Sequence, residues 1–254
     1  GMGAHVILLT APTLLRLFSH SFAGTGVTVL PDGTDASFDF HCPLMSLPLA
    51  CATDSLDKIP MQTKPYLFAD PALVEPLPSA ALPRALRVGL VWAGGYRPDH
   101  GTWRELDLSR SLELAQFAPL LKLTKAGDVQ FFSLQVGEPA NQLQSHIQQG
   151  LQDDLPIIDL TSDLHDWADT AALIANLDLV ISVDTAVAHL AAAMGKPTWI
   201  LSRVNGCWRW LEDRDDSPWY SSVRLFRQST RGDWASVMTE VVAALQMELA
   251  SYNA

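Results

Sequence analysis

The stretch DLVISVDTAVAHLAAAMGKPTWIL, residues 178–201, places an Asp, a Thr and a His where an apolar run turns helical. Val187, Leu190, Ala191 and Met194 recur at helical spacing and define a face that packs inward. Gly195 and Pro197 punctuate the helix end. Thr185 and His189 fall on the side almost opposite that face, and Asp184 sits at the turn, where an N-cap belongs. Free amides at a helix N-terminus favour an anion, most often a phosphate, and a carboxylate beside them suits a hydroxyl. Asp184, Thr185 and His189 therefore either face a phosphorylated ligand or do structural work only, Asp184 as a cap and His189 as an exposed helical residue.

Chemistry at such a junction depends on the elements that hold it. HVILLT (5–10), GVTVL (26–30) and FDFHC (38–42) read as short strands, and PTLLRLFSH as a helix with Pro12 in its first turn. PLMSLPLAC reads as a short helix or turn. From Pro60 to Pro83 the chain is dense in proline with little periodicity, which predicts a linker or extended crossing. Beyond it, LRVGLVWAG (86–94), VQFFSLQ (129–135), LPIIDL, DLVISV, PTWILS (197–202) and VRLFRQ (223–228) are strand candidates. SLELAQFAPLLKL, NQLQSHIQQGL, WADTAALIANL and residues 233–250 alternate with them as helices. Strands alternating with helices predict an α/β, doubly wound fold whose parallel sheet is covered on both faces, with ligands bound beyond the strands' carboxyl ends.

The bulk properties agree with a globular enzyme or binding domain. The chain has 254 residues, 48% apolar and 18% charged, with a net charge of −11. That charge argues against a duplex nucleic-acid partner, yet a small phosphorylated ligand needs only local amides and an Arg or two. Cys42, Cys51 and Cys207 have neither metal-ligand spacing nor an even count, which suits buried or half-buried thiols in a reducing compartment. No run approaches the roughly 18 apolar residues of a membrane helix, and no signal peptide opens the chain, so a cytoplasmic location is expected. DRD (213–215) lies inside WRWLEDRDDSPWY and is read as a solvated turn, so no metal is expected.

SVDTAVAHLAAAMGKPTWIL resembles the donor-side signature of the bacterial heptosyltransferase-like glycosyltransferases (glycosyltransferase family 9-like), Ser-x-Asp-Thr-x-x-x-His-Leu-x-x-x-x-Gly-x-Pro. DWADTAALIANLDLVISVDTAVAHLAAAMGKP, WRWLEDRDDSPWYSSVRLFRQ and FDFHCPLMSLPLA are similar to a subgroup that often forms the C-terminal part of tetratricopeptide-repeat proteins. The resemblance is dense from about residue 86 to 234 and recognisable from about 38. It implies two Rossmann-like domains of GT-B type: residues 1–80 as a truncated acceptor-side domain with a proline-rich linker, and residues 81–254 as the donor domain. It implies transfer of a sugar from a nucleotide-diphosphate-sugar to an unidentified acceptor without metal or cofactor, helix dipoles and basic side chains meeting the leaving diphosphate. The alternative is a catalytically inactive nucleotide or nucleotide-sugar binding module, and a third reading is an interaction domain with a degenerate cleft.

The same resemblance assigns roles. Asp184 binds donor hydroxyls, Thr185 and the Ala186 amide meet the diphosphate, and His189 supports them. Gly94, Gly95 and Arg97 of WAGGYRP approach the donor, and Gln135 points into the cleft. Arg110 either neutralises the diphosphate or is a solvated helix-end residue. Asp169 serves the loop structure more than the ligand. Trp208, Arg209 and Trp210 are either a nucleobase platform or core tryptophans with a paired Arg, the second being preferred. His41 either faces the acceptor or is hydrogen-bonded in the interior, again the preferred reading. The family's opening strand and the loop that can carry a catalytic base precede the segment GAHVILL, so no base is named, and the exposed sheet edge expected there invites pairing with a second copy.

Overall fold

A computed structural model describes residues 3–61, 63–78, 85–95, 101–149 and 156–252, without the side chains at 102, 103, 125 and 126. The chain opens with a β-α-β unit: β1 (Val6–Thr10), α1 (Pro12–Ser21) and β2 (Val27–Pro31), the strands parallel with Val6 opposite Val27. Pro12 stands in the first turn of α1, where its missing N–H costs no hydrogen bond. The short helix α2 (Leu47–Ala50) follows. The remaining strands are β3 (Leu86–Val91), β4 (Val129–Ser133), β5 (Ile157–Asp159), β6 (Leu179–Val183), β7 (Thr198–Ser202) and β8 (Val223–Arg227). Between and after them lie α3 (Gly101–Arg110), α4 (Ala118–Leu121), α5 (Asn141–Gln148), α6 (Trp167–Ala175), α7 (Ala186–Ala193) and α8 (Trp234–Tyr252).

β3 to β8 form one parallel sheet in the order β5-β4-β3-β6-β7-β8. Counted from β3 this is 3-2-1-4-5-6, the doubly wound dinucleotide-binding order, and it reverses direction between β3 and β6. Both faces are covered, so the strands read as continuous apolar runs rather than alternating ones. One core joins Val88, Leu90 and Trp92 of the β3 run to Val237, Met238, Val241 and Leu245 of α8. A second joins Val91, Phe132 and Val180 to Ile174 of α6 and to Val187 and Leu190 of α7. Leu17 of α1, 1% exposed, belongs to this second core, and Arg16 pairs with Asp166 and Asp169 at the start of α6 (3.0 and 3.3 Å). The arm after α2 also runs here: the Tyr66 and Leu67 N–H groups donate to the Ala193 carbonyl at the end of α7. No helix among the described residues is long and apolar enough to cross a membrane.

Two expected elements differ. FDFHC (38–42) is not a strand; Phe38 is 61% and Phe40 93% exposed. Its alternation mimics a strand, but among the described residues no neighbouring strand pairs with it. SLELAQFAPLLKL is not one helix but 3-10 turns at Leu114–Phe117 and Lys122–Ala126 around the four residues of α4. Pro119 has no N–H for a helix continuing from residue 114, although Leu114, Phe117, Leu120 and Leu121 are buried as their spacing suggested. The genuine helix there, α3, is polar and gave no periodic signal.

Candidate functional site

The site lies where the sheet order reverses, between the exits of β3 and β6. The β3 exit is fixed from below. Gln135, only 3% exposed, accepts hydrogen bonds from the Trp92 and Ala93 N–H groups (3.1 and 2.8 Å) and donates to the Val136 carbonyl. Its expected orientation into the cleft is therefore corrected: two backbone donors that would be buried without partners draw the side chain inward. Gly94 N–H donates to the Ser111 hydroxyl, which donates to the Asp107 carbonyl of α3 (3.0 and 2.6 Å). A Cβ on Gly94 would lie 2.5 Å from Arg110 Nε, so any larger residue there would have to displace the guanidinium. Gly95 is exposed, with nothing within 4 Å of such a Cβ. Arg97 lies outside the described residues.

Arg110 joins the two exits. Its guanidinium donates to the Asp184 carbonyl at the end of β6 (3.2 Å) and to the Asp107 carboxylate (2.5 Å). At 18% exposure its side chain is not a solvated helix end, so of the two sequence alternatives the solvated one is excluded. The Asp107 side chain is 6% exposed; its second oxygen and Arg110 Nε have no partner among the described residues.

The β6 exit carries the motif. Thr185, not Asp184, is the N-cap of α7; it has extended backbone and its hydroxyl meets the Ser182 hydroxyl (3.0 Å). The shift by one residue leaves α7 with no side-chain cap and places Asp184 in the turn before it. Ala186 is exposed at the first turn of α7. Gly195 ends the helix with φ +74°, as its place in the motif suggested.

His189 is not the exposed helical residue of the structural alternative. Its ring stacks on Trp210 (4.9 Å between centroids, 16° between planes). Nδ1 lies 3.1 Å from the Tyr220 hydroxyl, and Nε2 lies 4.0 Å from an Asp184 carboxylate oxygen. Burial lowers the imidazole pKa below its ordinary value; Asp184 opposes this and Arg209 reinforces it. The unfolded chain then binds the proton more readily, so this group's contribution to stability is full above about pH 6.5 and is lost as pH falls below it. Melting temperature measured from about pH 8 to pH 5 should fall on the acid side, and less in His189→Gln; equal slopes would refute the assignment.

The aromatic segment divides between its two alternatives. Trp210 is a core residue, 0% exposed, whereas Trp208 is 55% exposed with the Arg209 guanidinium 4.6 Å from its ring centre and Trp219 edge-on at 6.0 Å. His41 is exposed, touching the edge of Phe38, because the strand expected to bury it does not form. Cys42 and Cys51 are exposed, which corrects the expectation of buried or half-buried thiols for these two, whereas Cys207 is half-buried. Asp169 completes the capping box of α6 with Asp166, the loop role expected of it. Arg214 pairs with Asp216 in the DRD turn, and the described residues contain no group of three or more His, Cys, Asp or Glu that could hold a metal ion. Tyr220 and Asp107 were not singled out from the sequence; the Asp-x-x-Arg spacing was the one available signal for the second.

Residues 115–201 match Glycosyltransferase family 9 (heptosyltransferase), and over that span the chain is like this family. The span includes Gln135, Asp184, Thr185, Ala186 and His189, but not Gly94, Gly95, Arg110 or Trp208. Protein FlbA of Caulobacter vibrioides is 31% identical over 162 residues, which cover 63% of this chain and 25% of that protein. The chain thus spans a quarter of that relative's length. The structure of E. coli ADP-heptose lps heptosyltransferase II shares the fold with a TM-score of 0.52 at 12% identity, over 78% of this chain and 57% of that one.

Proposed function

We propose that this chain binds a nucleotide-diphosphate-sugar in the crevice between β3 and β6 and transfers the sugar to an acceptor, as a metal-independent glycosyltransferase of GT-B type. The observation that carries the reading is the bridge of Arg110 across the two exits, beside the uncapped start of α7. A diphosphate leaving group develops charge as the glycosidic bond breaks, and preorganised donors there lower the barrier without reorganising. Arg110, Thr185 and the Ala186 amide supply those donors, Asp184 and His189 hold donor hydroxyls, Gly94 makes room for the Arg110 guanidinium, and Gly95 lets the ligand approach the backbone. Trp208, exposed and aromatic, offers a face for the base, and residues up to 80, His41 among them, form the acceptor side. The match to family 9 and the shared fold support this reading. In the same reading the chain is cytoplasmic and corresponds to the module that one subgroup carries behind tetratricopeptide repeats.

A second reading is a module that binds the nucleotide-sugar without transferring it. It needs only the groups at the β3 and β6 exits, which belong to the six-stranded sheet.

Melting in the presence of ADP, UDP, GDP and their glucose conjugates tests the site for both. A ligand at a hundred times its Kd adds about 2.7 kcal/mol, which for a chain of this size raises Tm by roughly 5–10 °C. The expected result is a base-selective rise that Asp184→Ala abolishes. Absence of any rise at millimolar ligand would refute both readings, and glucose release or transfer from the bound conjugate would decide between them.

A further inference from the structure

The polar contacts around His189 have a direction. Nδ1 faces the Tyr220 hydroxyl at 3.1 Å and Nε2 faces the Asp184 carboxylate at 4.0 Å. A neutral imidazole has one N–H and one lone pair. With the proton on Nδ1, the Nε2 lone pair would point at a carboxylate, which can only accept. With the proton on Nε2, every group is complementary: Nε2–H faces Asp184 and Nδ1 accepts from the Tyr220 O–H. Tyr220 is itself partly buried and is hydrogen-bonded to Tyr66 of the arm that crosses the end of α7. Burial is the chief cause that holds its hydroxyl protonated, and its single O–H serves one acceptor, His189 Nδ1 or Tyr66. Trp210 fixes the plane of the ring. The charged and titratable groups around it come from three elements: Asp184 from the β6 exit, Arg209 from the 3-10 turn Trp208–Trp210, and Tyr220 from the segment before β8.

We propose that Tyr220, whose oxygen accepts from Tyr66 so that its one proton is free for Nδ1, is a positioning residue that holds His189 in the tautomer protonated on Nε2, so that His189 and Asp184 present one donor and one acceptor to a single ligand hydroxyl. At 4.0 Å the two groups are too far apart for a direct hydrogen bond. A hydroxyl beside both accepts from Nε2–H and donates to the carboxylate, a pairing open to a sugar or ribose O–H and closed to an ether oxygen. The identity of the ligand rests on the nucleotide-sugar reading; the tautomer does not.

Long-range proton–nitrogen correlation spectra of the imidazoles read the tautomer directly in the protein without ligand, at a pH where histidines are neutral. His189→Gln identifies the His189 signals. The expected spectrum has a protonated Nε2 and an acceptor Nδ1; Tyr220→Phe moves it toward a mixture of tautomers, and Tyr66→Phe moves it part of the way. The affinity for whichever of ADP-, UDP- or GDP-glucose binds should fall about tenfold in Tyr220→Phe, one lost hydrogen bond. A protonated Nδ1 in the unaltered protein, or an unchanged tautomer in Tyr220→Phe, overturns the proposal. If Tyr220→Phe does not fold, the unaltered protein and Tyr66→Phe still decide it. Binding of no nucleotide-glucose defeats the nucleotide-sugar reading, whereas the tautomer still stands or falls on the spectra.

Discussion

Arg110→Met should destabilise the protein by about 3–5 kcal/mol and abolish nucleoside diphosphate binding. The stability loss does not come mainly from the hydrogen bond to Asp184. It comes from Asp107, whose side chain is 6% exposed and already has one oxygen without a partner. Removing the guanidinium leaves a buried carboxylate with no counter-charge, a costlier state than losing both members of the pair. The Asp184 carbonyl loses its Arg110 donor at the same time, which loosens the turn before α7.

The double variant Asp107→Leu/Arg110→Met separates the two roles. Replacing a buried pair by apolar side chains of similar size is often neutral, so stability should return to within about 1–2 kcal/mol of the parent. Binding should not return, because the cation at the mouth is still absent. Chemical denaturation and titration with ADP, UDP and GDP measure both. Recovery of binding in the double variant would mean that Arg110 only braces the β3 and β6 exits. Failure of stability to recover would mean that its hydrogen bond to the Asp184 carbonyl dominates.

How much of this was legible in the sequence depended on range. The parallel sheet and the helices α5 to α8 followed from apolar runs and periodicity, which are local, whereas polar α3 gave no such signal; the β6–α7 junction followed from Asp184-Thr185 and Gly195. The N-cap was displaced by one residue because Asp184 and Thr185 are both good caps, and the choice rests on backbone angles that the sequence does not carry. Gln135 was expected in the cleft because it ends a strand; the two Trp92 and Ala93 amides that draw it inward lie more than forty residues away. The burial of Arg110 depends on Gly94 and Asp184, again distant in sequence. FDFHC failed for the complementary reason: a strand is defined by its partner, and alternation alone does not supply one.

The core tryptophan gives the second large effect. Trp210→Ala removes a side chain with no exposure, packed with Ala188, Ala192, Ile200, Val223 and Leu225, and should cost about 3–5 kcal/mol. It also removes the surface on which His189 stacks, so water reaches the imidazole and its pKa should rise back toward the ordinary value, since burial is the largest cause of its depression. Trp210→Phe is expected to behave differently. The ring plane remains, at a cost of about 1–3 kcal/mol for the three ring atoms lost and the cavity they leave. Trp210 Nε1 is buried without a partner among the described residues, and its removal relieves an unsatisfied donor of about 1–3 kcal/mol. Stability should therefore stay within about 1 kcal/mol of the parent, with the depressed His189 titration retained. Urea denaturation and the His189 imidazole signals followed against pH test both. A phenylalanine variant as damaged as the alanine variant would show that the indole N–H has a partner in solution. An alanine variant with the His189 titration unmoved would show that Asp184, Arg209 and Tyr220, rather than the stacked ring, set the environment of the imidazole.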